Sequence, residues 1–391
     1  MKTDLKGLDA RETEQWAADL GLDAYRGRQI RQWLFKRLSA SWDEMTNLPK
    51  SLRSALRDQA LLTPLSLKEI LTSEDGTRKL LFGTLDGLLI ESVLIPERDH
   101  FTLCISSQAG CAMGCRFCLT AKQGFKRNLS ASEIVEQVIQ CRRGLDAPDR
   151  LTNIVFMGMG EPLANYHAVV KAIGNLTGDD GLNFSHRRVT LSTCGLVPEI
   201  KRLGEEVTVN MAVSLNAADD KTRSLLMPVN RKYPLNPLLR ACREFPLPNR
   251  RMITFEYILI DGVNDRDRDA ETLCGRLSGL RAKINLIRFN PHAGTEFKPS
   301  SPERVLRFQE ILIGRHFTAI IRKSKGRDIM AACGQLSGAR ETEVRSRKSE
   351  VSTDSGLGSG ESNRGRNVIT PVRFSRSYTR VFEGLKVENW R

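Results

Sequence analysis

Apolar positions recur at helical spacing near the start of the chain. Ile30, Trp33, Leu34 and Leu38 fall three or four apart among Arg28, Arg31, Lys36 and Arg37, which predicts a helix with one apolar and one basic face. Residues 45–62, with Pro49 near their start, read as another helix, so residues 1–62 are expected to be helical. The period then changes. Residues 67–71, 77–82 and 88–95 are short β-prone runs separated by Asp75-Gly76 and Asp86-Gly87, both hairpin-turn pairs, and predict a small antiparallel meander.

From Phe101 onward strands and helices alternate. The strands are expected at 102–106, 153–157, 188–192, 208–214, 254–259 and 284–289. One intervening helix opens at Ser130 with Glu133 three residues on, a capping-box signature, and others are expected at 265–277 and 302–313. Six βα units in succession predict an α/β fold whose parallel sheet curves into a partial barrel, with the functional site at the C-terminal strand ends. A flat doubly wound sheet is the competing topology. After residue 340 the periodicity is lost. Ser, Gly and Arg dominate 346–366, a disordered composition, and Phe374, Tyr378, Phe382 and Trp390 follow among arginines.

Composition narrows the function class. The chain has 391 residues, 40% of them hydrophobic, enough for a sizeable core. No apolar run approaches the ~18 residues of a membrane span, and the charged first 21 residues do not resemble a secretory signal, so a cytoplasmic protein is expected. Lys and Arg number 60 against 46 Asp and Glu, a net charge of +14. Residues 341–391 contribute ten basic and seven acidic residues, net +3, which leaves +11 on the folded part. That excess favours a nucleic-acid partner over a merely solvated basic surface only when other signals agree. Four of the nine cysteines fall within 104–118, a distribution that suits a metal or redox site better than a disulfide scaffold.

The densest signal is Cys111-Ala-Met-Gly-Cys115-Arg-Phe-Cys118, just after the first parallel strand. Three thiolates on one loop can share an inorganic centre, but closed zinc sites and ferredoxin-type clusters use four ligands. A cubane cluster held by three thiolates leaves one iron open, where the amino and carboxylate groups of S-adenosylmethionine (SAM) can chelate and its sulfonium be cleaved to a carbon radical. Zinc completed by Cys104 or His100 is the competing reading.

Gln108-Ala-Gly-Cys111 through Cys118, Phe156-Met-Gly-Met-Gly160-Glu161-Pro162, Arg188-Val-Thr-Leu-Ser192-Thr193 and Ala331-Ala-Cys333-Gly-Gln335 together resemble the RlmN/Cfr family of the radical-SAM superfamily, over residues 21–335. The resemblance implies an α/β fold built on a partial (β/α)6 radical-SAM barrel at 99–338. An RNA-contacting N-terminal helical accessory domain at 1–65, a small β element at 66–98 and a disordered tail at 339–391 complete the expected organisation. It implies one 4Fe-4S cluster on Cys111, Cys115 and Cys118, and two SAM molecules per turnover, one the methyl donor and one the radical source. Gly160 and Glu161 would bind SAM. Ser192, Ser214, Leu215, Asn216 and Asn290 sit at strand ends where hydroxyl, amide and backbone groups can meet its carboxylate, ribose and adenine. The family often has His where this chain has Asn216; a backbone-mediated contact survives that change.

Carbon 2 of adenine is too electron-poor to attack SAM directly. The resemblance implies that Cys333 first takes a methyl group, that a hydrogen is then removed from it, and that the resulting S–CH2 radical adds to the base. Cys104 would attack the Cys333 sulfur to release methylated RNA, leaving a disulfide, and Glu91 would accept the proton lost from carbon 2. Implied substrates are 23S rRNA at adenosine 2503 and tRNA at adenosine 37, with a flavodoxin or ferredoxin as electron donor and a monomeric enzyme. Lys122, Lys126, Arg127 and the basic face around Arg28–Arg37 are candidate phosphate contacts. Cys141, Cys194, Cys242 and Cys274 are left structural. A methyltransferase acting on carbon 8, or a non-catalytic zinc RNA-binding protein, are the rival functions.

Overall fold

The computed structural model describes residues 2–338; the expected tail, with Phe374, Tyr378, Phe382 and Trp390, lies outside the described residues. At the N-terminus, strand β1 (Thr3–Asp4) pairs in parallel with β2 (Ala60–Leu61) and draws together the two ends of a unit containing helices α1 (Ala10–Asp19), α2 (Ala24–Phe35) and α3 (Lys50–Gln59). Helix α2 buries Ile30 and Leu34 as its period predicts, and Phe35 with them; Trp33 is half-buried, and Leu38 lies beyond the helix end at φ +55°. The helix also buries Arg31, whose guanidinium donates to Leu8 O, Asn175 Oδ1 and Asp180 Oδ2. Arg31 is therefore part of a docking contact and not of an exposed basic face.

Strands β3 (Leu65–Thr72), β4 (Arg78–Thr84) and β5 (Leu89–Pro96) form the antiparallel meander, turning at Asp75-Gly76 and Asp86-Gly87. The meander is not isolated. β5 pairs antiparallel with β6 (Phe101–Cys104), so the same sheet continues into the parallel strands. Beyond β6, a ribbon of β7 (Gln108–Gly110) and β8 (Phe125–Asn128) brackets the cysteine loop and the short helix α4 (Leu119–Lys122).

The alternation then runs α5 (Ala131–Arg143), β9 (Leu151–Phe156), α6 (Tyr166–Thr177), β10 (Val189–Thr193), α7 (Val197–Glu206) and β11 (Asn210–Ser214). It continues through α8 (Asp220–Leu226), α9 (Leu235–Glu244), β12 (Ile253–Leu259), α10 (Asp267–Leu277), β13 (Ala282–Arg288), α11 (Pro302–Gly314) and β14 (Thr318–Arg322). The capping box at Ser130 and Glu133 is present, each side chain accepting from the other's backbone N–H.

All ten long strands lie in one sheet in chain order, and β6 with β9 to β14 are mutually parallel. The barrel thus has a seventh parallel strand, β14, beyond the six expected. Its five residues are an edge strand with Thr318 and Ile320 exposed, too short and too mixed for a periodic signal. The helices between strands each bury an apolar face against the sheet, as Ile134, Val135, Val138 and Ile139 do on α5.

After β14 the chain leaves the sheet and crosses to the meander as a strap over residues 323–338. Gly326 N donates to Asp75 Oδ2, and Asp328 accepts from Ser73 Oγ and Glu74 N. The strap bridges the two sides of the sheet and so closes the barrel's open seam.

Candidate active site

A cavity opens at the C-terminal ends of the parallel strands, with about 200 Å³ of space inside it. Cys104, Cys111, Cys115, Cys118, Gly160, Glu161, Ser192, Ser214, Asn216, Asn290 and Cys333 all line it. Glu91 and Leu215 do not. The site is where the strand order places it, since each parallel strand contributes its last residues.

The cysteine loop is held by backbone. A Cβ on Gly110 would lie 1.9 Å from Gly124 O, so only glycine lets the two strands of the ribbon approach at the base of the loop. Cys111 N donates to Gly124 O, Cys118 N to Cys115 O and Arg116 N to Leu226 O. Burial pushes the Cys111 thiol up to about 12 and raises Cys115 well above the ordinary range, with the neighbouring thiols of Cys118 and Cys111 adding like-charge repulsion at Cys115. Such thiols give up protons readily only in exchange for a metal. Among the described residues no three His, Cys, Asp or Glu converge closely enough to hold a single ion. Cys111, Cys115 and Cys118 line one cavity and lie near enough for their thiols to perturb one another, a donor set that fits three corners of a cubane cluster. His100 precedes β6, at the opposite end from Cys104, and bonds Asp99, so it completes no zinc site.

The polar strand ends divide into tethered and free. Gly160 has φ +99°, and a Cβ there would lie 2.5 Å from Gln108 Cβ, so the turn after β9 requires glycine. Glu161, buried and with its carboxyl raised by desolvation, accepts from Leu163 N at 3.1 Å and Cys194 N at 2.7 Å, which ties the end of β9 to that of β10. Asn216 adopts φ +57°, a left-handed conformation that asparagine tolerates. Its side chain accepts from Ile258 N and donates to Met227 Sδ, stapling β11 to β12. Leu215 is buried, its N–H donating to Glu256 O and its carbonyl accepting from Arg223. Asn290 donates to Cys333 O at 3.2 Å and so anchors the strap. The hydroxyls of Ser192 and Ser214 line the cavity, and no hydrogen bond from either is present among the described residues.

Cys104 ends β6 and Cys333 hangs from the middle of the strap, both facing the cavity. Burial raises the Cys104 thiol, while Cys333 is exposed on the strap and its thiol is raised by desolvation against the cavity wall. The charge of Cys333 raises Cys104 further, and Arg322 opposes the rise at both. The strap around Cys333 is fixed by Leu119 N to Gly334 O, Thr120 Oγ1 to Leu336 O and Gln335 Nε2 to Pro291 O. Glu91 anchors its end. Its Oε2 accepts from Ser337 N at 2.7 Å and Gly338 N at 3.1 Å, and its Oε1 forms an ion pair with Lys79 Nζ at 3.1 Å without a well-aligned hydrogen bond. The expected proton acceptor is thus occupied behind the cavity wall.

Three lining features escaped the sequence reading. Arg322 ends the unrecognised β14. Glu256, a lone acid inside the apolar run Ile253–Leu259, is 5% exposed with Oε2 unpartnered, and that isolated charge was the available signal. Cys194, left structural, lines the cavity beside Cys115 and Glu161.

The family model described as radical SAM superfamily matches residues 105–273, and that described as ribosomal RNA large subunit methyltransferase N-terminal domain matches residues 3–62. The chain is 53% identical over 86% of its length to the dual-specificity RNA methyltransferase RlmN of Syntrophus aciditrophicus, covering 97% of that protein. It is 54% identical over 86% of its length to the RlmN of Geobacter sulfurreducens, covering 92% of it. The crystal structure of a radical SAM methyltransferase from Sphaerobacter thermophilus superposes with a TM-score of 0.83 at 47% identity, over 86% of this chain and all of that one. With the three-cysteine loop at the mouth of a parallel barrel and this identity along both the N-terminal unit and the barrel, the chain belongs to the RlmN family of radical-SAM methyltransferases.

Proposed function

We propose that the chain methylates carbon 2 of an adenine in RNA, with Cys333 carrying the methyl group as S-methylcysteine and Cys104 releasing the product. The observation that carries this reading is that Cys104 and Cys333 face the same cavity as Cys111, Cys115 and Cys118 although 229 residues separate the two in the chain. Cys111, Cys115 and Cys118 would hold the 4Fe-4S cluster, and the unpartnered hydroxyls of Ser192 and Ser214, with Gly160 at the turn after β9, would contact SAM. When bound, the pair supplies a methyl group and a carbon-centred radical.

The chain's own residues do the rest. Cys333 acts as a thiolate, and Arg322 contributes positive charge beside both thiols. Product release forms a Cys104–Cys333 S–S bond as the bond from the Cys333 sulfur to the methylene carbon breaks; that carbon keeps the electron pair and takes up a proton to become the methyl group of the product. Glu91 takes the proton of carbon 2 only after Ser337 and Gly338 release its carboxylate, so base exposure follows movement of the strap's end. The target adenine must be unstacked to enter such a cavity.

The relatives' name as dual-specificity RNA methyltransferases supports two RNA classes, which we take to be 23S rRNA and tRNA, with a flavodoxin or ferredoxin donating electrons. Among the described residues no helix is long and apolar enough to cross a membrane, and we place the reaction in the cytoplasm. The test is Cys333→Ala in anaerobically purified protein. Intact iron–sulfur absorption and 5′-deoxyadenosine formation without RNA methylation are expected; full methylation by this variant overturns the two-cysteine route. Mass spectrometry of wild-type product is expected to show 2-methyladenosine, and 8-methyladenosine as sole product overturns the choice of carbon.

A further inference from the structure

The loop cations singled out from sequence are largely committed inside the protein. Arg127 pairs with Asp86 and Glu133, Lys122 donates to Gly294 O, Arg28 pairs with Glu14, and Arg37 stacks on Trp33. A cation already satisfied by a carboxylate gains little from a phosphate. Of the three beside the cysteine loop only Lys126 has no hydrogen bond or ion pair among the described residues.

The first half of the strap is different. Together with Arg322 at the end of β14 it reads Arg322-Lys323-Ser324-Lys325-Gly326-Arg327-Asp328, and none of these four cations makes a side-chain hydrogen bond or ion pair among the described residues. Arg322, Lys323 and Lys325 line the cavity, Lys323 is exposed, and Arg327 is exposed just after them. The neighbouring acids are turned to other work: Asp75 accepts from Gly326 N and Thr77 N, and Asp328 from Ser73 Oγ and Glu74 N. The segment is pinned at both ends, by β14 at one side and by the β3–β4 turn at the other. Its backbone is already ordered, so binding an anion costs little further backbone entropy.

We propose that Lys323, Lys325 and Arg327 form a phosphodiester clamp at the cavity mouth, holding the RNA backbone on either side of the adenine that enters beside Cys333. The inference rests on the RNA methyltransferase reading above and names the part of the site that grips the strand. Lys323 and Lys325 are two residues apart, at most about 7 Å between Cα atoms, a span that lets them engage successive phosphates of an unstacked strand. Because the strap also carries Cys333, seating these phosphates sets the distance between the base and the sulfur. Contacts to phosphate position a strand without reading its sequence, so the clamp serves any RNA that presents an unstacked adenine.

The test is RNA binding by the anaerobic, cluster-loaded full chain, measured against salt with a hairpin RNA carrying an unpaired adenine. For the variant Lys323→Gln/Lys325→Gln/Arg327→Gln, the slope of log K against log salt is expected to fall by about 2, at roughly 0.7 per lost single-strand phosphate contact. A control removes charge at the opposite strand ends through Arg250→Gln/Arg315→Gln, and its slope is expected to stay near wild type. Equal slopes for the strap variant and wild type overturn the clamp. So does an unchanged slope accompanied by slowed cluster reduction by a protein electron donor, which assigns the patch to an acidic redox partner. Wild-type protein that shows no salt-dependent RNA binding at all overturns the underlying reading instead.

Discussion

Glu91 and Lys79 show how a pair of charges buried behind the cavity governs what happens in front of it. Glu91 is fully buried and Lys79 is 5% exposed, and both backbone N–H groups at the strap's end terminate on the Glu91 carboxylate. Removing one member of a buried pair leaves the other charge uncompensated, at a cost of about 3–5 kcal/mol. Lys79→Met is therefore expected to lower stability in urea by that order, and Glu91→Gln to leave the Lys79 ammonium similarly stranded. The double variant should recover part of the loss, because neither charge remains. Hydrogen exchange separates this from general weakening: the Ser337 and Gly338 amides should lose protection in Lys79→Met before the strands do. Unchanged protection there would mean the strap is held by its other contacts alone.

At the scale of elements, the strand ends are held by helix α8, and above all by Arg223. This guanidinium is 0% exposed and donates to Leu215 O, Asn230 Oδ1, Tyr233 O, Cys194 O and Ser214 O. It thereby fixes the ends of β10 and β11, where Cys194 and Ser214 meet the cavity. Arg223→Met leaves these acceptors without donors and is expected to cost more than about 3 kcal/mol in urea unfolding, with iron content per chain falling in parallel. Arg223→Lys should recover only a fraction, since an ammonium lacks the planar fork.

None of this was legible in the sequence, where Arg223 looks like any exposed helical arginine in a charged stretch. The barrel strands were legible because each is an apolar run bounded by turn residues, and the cysteine loop because spacing alone limits what three thiols can hold. β14 was not, being five residues at a sheet edge. Asn290 and Glu91 were placed correctly at strand ends or in the meander, but their side-chain partners on the strap come from residues 43 and 246 or more positions away. Such long-range pairings leave no periodic trace.

The whole molecule is assembled by docking its N-terminal unit on the outer helices of the barrel. Lys6 and Glu136 form an ion pair with side chains 0% and 1% exposed, and Asn175 on α6 donates to Lys6 O and Leu8 O. Asp4 lies in the same contact, where it accepts from Ser132 Oγ on α5, and desolvation raises its carboxyl from 3.8 to about 6. A carboxyl that binds its proton more tightly when folded stabilises the folded form below its unfolded pKa, and that contribution is lost as pH rises through the folded value. Docking is therefore expected to weaken between about pH 4 and pH 6 and to level off above. At most about 3 kcal/mol is involved, from 1.36 kcal/mol per unit. Glu136, also raised by burial, pushes in the same direction. Asp4→Asn cannot ionise and should flatten this slope, leaving the variant relatively more stable above pH 6 than below pH 4. Thermal unfolding of both proteins across that range checks it, and parallel curves would show that Asp4 titrates alike in both states.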